Sequence, residues 1–310
     1  MGIVVIGTVF VDIKGFPDDV YNPTGRNAGR VETVHGGVGR NVAEDIANVE
    51  LRPVFLSLVD DTASGEEVLQ KLRKHKVNTD YILRKPDGMG LWLAVFDNTG
   101  DLAGSISKRP RMDALEALLD EKGDEIFRDA DSIVVEIDLD KEIIKRVFRY
   151  AEKYGKKVYA VVSNMTIATE RRDFLQSIDC FVCNLQEAGI LFVDDFSALS
   201  PAELAEELYR RVVKANIPSM VVTMGGRGAV YADRRGDRGW APAKPVQVRD
   251  TSGAGDAFCA GVAAGLTYGK TLRESVEIGT TLAAAVITVA ESTCPRFLPG
   301  ELGLEVPVPD

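Results

Sequence analysis

The sequence predicts an α/β fold: a doubly wound, mostly parallel sheet flanked by helices, with a small β lid. Three observations predict it. Short apolar runs recur along the 310 residues, and amphipathic segments of helical period separate many of them. Strands alternating with helices imply βαβ units, which bury a parallel sheet between two helical layers. Two segments break the alternation, Val9–Val34 and Met89–Ile106, and both contain short extended stretches. Extra strands of this kind often form a flap over a site. Residues 1–310 therefore read as a single domain, with lid strands drawn from 9–34 and 89–108.

The strands are expected at Ile3–Ile6, Val54–Leu58, Leu91–Phe96, Ile133–Ile137, Lys157–Val162, Cys180–Cys183, Met220–Thr223 and Gly228–Tyr231. Helices are expected at Asn41–Val49, where Val42, Ile46 and Val49 share a face, and at Gly65–His75, where Val68, Leu69 and Leu72 do. Glu142–Tyr154 and Ala202–Ala215 are amphipathic, and Leu282–Val289 is apolar enough for a buried helix. Met89–Ile106 alternates through Leu91, Leu93 and Val95 and turns at Asp97-Asn98-Thr99-Gly100, the pattern of a hairpin.

Composition narrows the function. Hydrophobic residues make up 45% and charged residues 27%, an ordinary globular balance. The net charge of −10 argues against a sequence-independent nucleic-acid binder, which needs a basic surface. An acidic chain can still hold an anion through backbone N–H groups. No window is apolar enough for a membrane span, and Met1–Gly7 reads as a first strand, not a signal peptide. The expected location is cytoplasmic. Cys180 and Cys183 have C-x-x-C spacing, but residues three apart on a strand face opposite ways, so both read as core. With only His35 and His75 present, a His-based zinc site is not expected.

Four motifs could carry chemistry. Asp250-Thr251-Ser252-Gly253-Ala254-Gly255-Asp256 is a small-residue turn running into a helix. Its N–H groups could converge on an anion at the helix start. Asp256 could be an N-cap, or a general base beside the anion. His35-Gly36-Gly37-Val38-Gly39-Arg40-Asn41 opens a helix, and Asn41 offers both donor and acceptor to a sugar hydroxyl. Thr223-Met224-Gly225-Gly226-Arg227-Gly228 follows an apolar strand; it reads either as a ligand loop or as a tight hairpin. Asn184-Leu185-Gln186-Glu187 can hold Mg²⁺ waters and phosphate, or form a capping box. Gly265–Thr271 looks like a P-loop but has three residues between its glycines where four are needed.

In their order along the chain, these motifs resemble the ribokinase-like (PfkB) family of sugar and nucleoside kinases. The resemblance implies a doubly wound core with a β lid and ATP-dependent phosphorylation of a sugar hydroxyl. It implies that Asp256 is the base and that the N–H groups of Gly253, Ala254 and Gly255 form the anion hole. Asp12, Gly37, Arg40 and Asn41 fall at sugar-binding positions, and Asn184 and Glu187 at the Mg²⁺/phosphate motif, with Glu187 acting through water. Thr223, Gly225 and Gly228 match the nucleotide side. Asp250 lies where some members bind a monovalent cation such as K⁺. Within the family, Asn27-Ala28-Gly29-Arg30-Val31, Arg40 and Asp97–Gly100 resemble the pseudouridine kinases, implying the 5′-hydroxyl of pseudouridine as acceptor. Three segments depart from the family's pattern: Ala28, Ser107-Lys108-Arg109 and Val161-Val162-Ser163. The alternatives are a kinase for another nucleoside or for ribose or fructose, and a non-catalytic sugar or nucleotide binder. Intact Asp256 and the Gly-Ala-Gly turn count against the last. A homodimer through the lid is a further expectation, because exposed strand edges can pair.

In such a reaction the loose transition state leaves positioning and charge stabilisation as the main work. Proton transfer comes late, so an ordinary carboxylate is expected to suffice as the base.

Overall fold

The computed structural model describes residues 2–170 and 172–306. The strands are β1 (Val4–Ile6), β2 (Phe10–Pro17), β3 (Gly29–Gly36), β4 (Val54–Val59), β5 (Ile82–Arg84), β6 (Gly90–Phe96) and β7 (Leu102–Lys108). They continue with β8 (Ile133–Glu136), β9 (Val158–Val161), β10 (Cys180–Asn184), β11 (Ser219–Thr223), β12 (Ala229–Asp233) and β13 (Arg238–Ala241). The helices are α1 (Val38–Asn48), α2 (Ala63–Lys74), α3 (Ala114–Arg128), α4 (Lys141–Tyr154) and α5 (Met165–Thr169). Then come α6 (Leu185–Phe192), α7 (Pro201–Ala215), α8 (Ala254–Thr267) and α9 (Leu272–Val286).

Nine strands form one sheet in the order β13-β12-β11-β10-β9-β8-β1-β4-β5. Neighbours from β5 to β11 run parallel; β12 and β13 close the far edge antiparallel. Strand order reverses between β1 and β8, and ligands of open α/β sheets bind in the crevice beyond such a reversal. Side-chain alternation divides the core in two. Val4 and Ile6 of β1 join a cluster with Leu119, Phe127 and Ile144 of α3 and α4. Ile3 and Val5 join one with Ile46, Leu72, Phe258 and Val276 on the other face. Cys180 and Cys183 fall in opposite clusters, both buried and free, as their spacing predicts. Among the described residues no helix is long and apolar enough to cross a membrane.

The lid is a separate four-stranded sheet in the order β3-β2-β6-β7. Its pleat sorts side chains by face. Val34, Asp12, Trp92 and Ser107 form one row across it, and Thr33, Ile13, Leu93 and Ile106 the adjacent row on the opposite face.

Most expected elements appear with ends moved by one to three residues. The helix expected at Leu282–Val289 is the end of a longer one. Thr271 and Glu274 form a capping box that starts α9 at Leu272, and it stops at Val286, so Thr288 and Val289 lie outside it. Helix α3 escaped the sequence reading; its buried Leu115, Leu119, Ile126 and Phe127 are interrupted by Gly123 and many charges. The hairpin reading of Thr223–Gly228 holds: β11 and β12 pair antiparallel, Val222 opposite Val230, across that turn.

Candidate active site

The site begins at the strand reversal. Beyond β1, Thr8 donates its N–H to Glu136 Oε1 at 2.7 Å, and its hydroxyl also bonds that carboxylate. Gly39 N–H donates to the same Oε1 at 2.5 Å. Glu136, at the end of β8, thus ties the exit of β1 to the first turn of α1. Burial, and then the charge of Asp138, push its carboxyl above the ordinary carboxylate range, against the hydrogen bonds from Thr8 and Gly39. Gly37 makes the bend between them at φ 101°, and a Cβ there would sit 2.5 Å from Thr8 O. That bend sets Asn41 one helical turn later.

Asn41 Nδ2 donates to Asp256 Oδ2 at 2.7 Å, joining α1 to the first turn of α8. The N-cap of α8 is Gly253, at φ 77°, so Asp256 is not the cap. A side chain at Gly253 would run into the Ser292 carbonyl. Among the described residues, no protein acceptor meets the N–H groups of Gly253 and Gly255; Ala254 N–H donates to Thr251 O at 3.3 Å. Two of the three expected anion-hole donors are therefore open and the third is shared. Asp256 is not the ordinary carboxylate the sequence reading allowed. Protein packed around it raises its pKa to about 7, against the opposing Asn41 hydrogen bond and Arg40 charge; Glu187 and Asp12 add to the rise.

Arg40 differs from its expected place. It is 1% exposed and lies behind the cavity. Its guanidinium pairs with Glu44 Oε2 at 2.8 Å and donates to Gly36 O, His35 O and Ser292 Oγ. The i, i+4 ion pair with Glu44 turns it inward, so it supports the glycine turn and does not line the cavity.

A cavity of about 550 Å³ lies between these elements and the lid, with Asp12, Gly37, Asn41, Gly253 and Asp256 among its walls. Asp12 has a raised pKa, from burial, offset by Lys14 and Arg40. Lys14 Nζ reaches Ser252 Oγ at 3.4 Å, so the lid touches the small-residue turn. Trp92, Ser107 and Arg109 come from the lid side, and Ser163 and Asn164 from beyond β9.

The second group of expected residues lies along the same sheet edge. Asn184 and Thr223 are register partners at the C-terminal ends of β10 and β11. The capping box is formed: Asn184 Oδ1 accepts from Glu187 N–H at 2.9 Å, and Glu187 Oε2 from Asn184 N–H at 2.7 Å. Burial raises the pKa of Glu187, and its charge is felt at Asp256. Gly225 and Gly228 shape the β11–β12 turn. At Asp250, burial opposes the charge but hydrogen bonding from Ser252 and the charge of Lys14 lower the pKa overall.

Comparison with known proteins decides the class. The family model described as pfkB family carbohydrate kinase matches residues 2–296. The chain belongs to that family. It is 35% identical over 292 residues to the guanosine-inosine kinase of Exiguobacterium acetylicum, covering 94% of this chain and 95% of that one. It is 28% identical to the pseudouridine kinase of Escherichia coli K12, covering 88% and 86%. The fold is similar to Arabidopsis thaliana ribokinase complexed with ribose and ATP, at TM-score 0.81, 21% identity, and 97% and 98% coverage. It is also similar to the adenosine kinase of Sinorhizobium meliloti, at TM-score 0.74, 22% identity and 96% of each chain. This pfkB kinase is a phosphotransferase with an alcohol group as acceptor.

The sequence reading of this kinase missed Thr8, Lys14, Trp92, Glu136, Asp138 and Ser163. Trp92 was recoverable: Leu91 and Leu93 face away from the cavity, so the strand period places Trp92 toward it. Glu136 and Asp138 close an apolar run, which hides their meeting with Thr8 and Arg109 from distant sequence.

Proposed function

We propose that this pfkB kinase transfers the γ-phosphoryl group of ATP to the 5′-hydroxyl of a nucleoside. The supporting observation is the row Asp12–Trp92–Ser107 across the lid, facing the cavity that also holds Asp256. A carboxylate suited to sugar hydroxyls stands beside an aromatic ring suited to stacking a base.

In this reading Asp12, Gly37 and Asn41 hold the sugar. Asp256 orients the 5′-hydroxyl and takes its proton as oxygen attacks phosphorus. A base with a pKa near 7 is half-ionised at neutral pH and accepts a proton more readily than an ordinary carboxylate. The N–H groups of Gly253, Gly255 and, after a small shift, Ala254 face the transferring phosphoryl oxygens. Thr223, Gly225 and Gly228 border the nucleotide, and Asp250 holds a K⁺ near the turn. The lid excludes water, which limits ATP hydrolysis.

Magnesium fits this donor set. Among the described residues no cluster of three or more His, Cys, Asp or Glu could hold a metal. Mg²⁺ commonly keeps its waters and leans on one carboxylate plus substrate phosphates. Glu187, half-buried at the sheet edge beside Asn184, is the carboxylate we assign to it through water. When bound, Mg²⁺ offsets charge on the phosphate oxygens.

Guanosine and inosine are the first acceptors to test, because the relative named for them is 35% identical. Pseudouridine is the second reading, supported by Asn27–Val31, Asp97–Gly100 and the 28% identical relative. We also place the enzyme in the cytoplasm, and as a homodimer through the outer lid face. An ATP-consumption screen over guanosine, inosine, pseudouridine, uridine, adenosine, ribose and fructose tests the reading. Turnover of a nucleoside to its 5′-monophosphate supports it; turnover confined to ribose or fructose contradicts it.

A further inference from the structure

One part of the cavity wall has a fixed chemistry. Asp138, just beyond β8, has a fully buried side chain, whereas that of Arg109 is 36% exposed. Asp138 Oδ1 accepts from Ser163 N–H at 3.0 Å, and Oδ2 from Ser163 Oγ at 2.7 Å. Arg109 NH1 donates to Oδ2 at 3.0 Å, and NH2 to the Asp138 carbonyl at 2.9 Å. The carboxylate is therefore occupied by donors and turned away from solvent. A guanidinium has five N–H donors, and these bonds use two. The two bonds fix its plane, and the residue lines the cavity from the lid side. This part of the wall offers a ligand oriented donors and a positive charge.

Resting on the nucleoside reading above, we propose that Arg109, clamped by Asp138, which Ser163 holds in turn, selects nucleosides whose base carries a 6-oxopurine edge. The O6 and N7 atoms of guanosine and inosine are paired acceptors, which a planar guanidinium meets with two N–H groups at once. Adenosine presents an amino group at position six, so one donor meets a donor. A free sugar has no base to reach the wall. Trp92, on the lid side of the same cavity, gives the base a stacking surface while Arg109 reads its edge. Asp138 acts through Arg109 and is a positioning residue.

The test compares kcat/KM for inosine, adenosine and 7-deazainosine, which lacks the N7 acceptor. Each is measured with wild-type enzyme, Arg109→Lys and Arg109→Gln. Lysine keeps a charge for Asp138 but loses the planar fork. Wild type is expected to favour inosine over both others by about tenfold or more, the scale of one bidentate pair. In Arg109→Lys and Arg109→Gln the preference shrinks to about threefold or less, mainly through KM. The preference is a ratio within one variant, so loss of folded enzyme does not change it. Equal losses for all three nucleosides overturn the inference and make Arg109 a lid tether only. Wild type that turns over inosine and adenosine alike also overturns it, while the nucleoside reading stands. Turnover of free sugars alone removes both.

Discussion

Asp256 concentrates the chemistry at the residue scale. Its carboxyl lies half-buried in the cavity wall, hydrogen-bonded by Asn41 and near further carboxylates, with a pKa pushed to about 7. A general base with that value loses activity on acidification. The profile of kcat/KM against pH should rise with its midpoint near 7. Asn41→Ala removes a hydrogen bond that favours the charged form, so its limb should lie at higher pH. A limb near pH 4 in both enzymes contradicts the assignment. Stability follows the same group. The folded pKa exceeds the unfolded one, so the folded state binds the proton more tightly and stability falls as pH rises from about 4 to about 7. Asp256→Asn carries no charge to bury. Its melting temperature should exceed that of wild type at pH 8, and the gain should vanish near pH 4. A gain of equal size at both values rules out this origin.

Elements place these residues. Helices α8 and α9 pack through small side chains, with Gly261 facing Gly279 so closely that a Cβ at Gly261 would lie 2.7 Å from the Gly279 Cα. Backbone cannot yield as a flexible side chain does, so Gly261→Val forces the helices apart. The cost expected for overpacking is about 1–3 kcal/mol. Thermal denaturation should show a clear fall in melting temperature; an unchanged value means α8 is not pinned as described. Ala257, Ala260, Gly261, Ala263, Ala264 and Gly265 make the small-residue stripe of α8 legible in the sequence, and with it the need for a close neighbour. The neighbour itself was not, because α9 shows only its apolar end as a simple pattern. Local rules recovered the Asn184–Glu187 cap and the alternation that aims Trp92. Arg40 illustrates their limit. Its motif marks a substrate contact, yet Glu44 one turn later draws it inward, beside the His35 and Gly36 carbonyls of its own motif and Ser292 from a distant segment.

For the whole molecule, the strand reversal between β1 and β8 fixes where everything meets. The lid leaves the core there, and β10 and β11 end along the same edge. The lid's outer face carries Val31, Leu93 and Ile106, which are 71, 40 and 71% exposed. Burying such a face against a second copy is the basis of the proposed dimer. Sedimentation should show a dimer for wild type and a monomer for Ile106→Asp; wild type that sediments as a monomer contradicts the arrangement. The central claim is that Asp256 drives ATP-dependent phosphorylation of a nucleoside 5′-hydroxyl. Its most direct test is product analysis with ATP and inosine or guanosine, for wild type and Asp256→Asn side by side. The prediction is a 5′-monophosphate from wild type and a rate about 10²–10⁴-fold lower from the variant, with nucleoside binding retained. Near-normal turnover by Asp256→Asn, or nucleosides left untouched while ribose or fructose is phosphorylated, would contradict it.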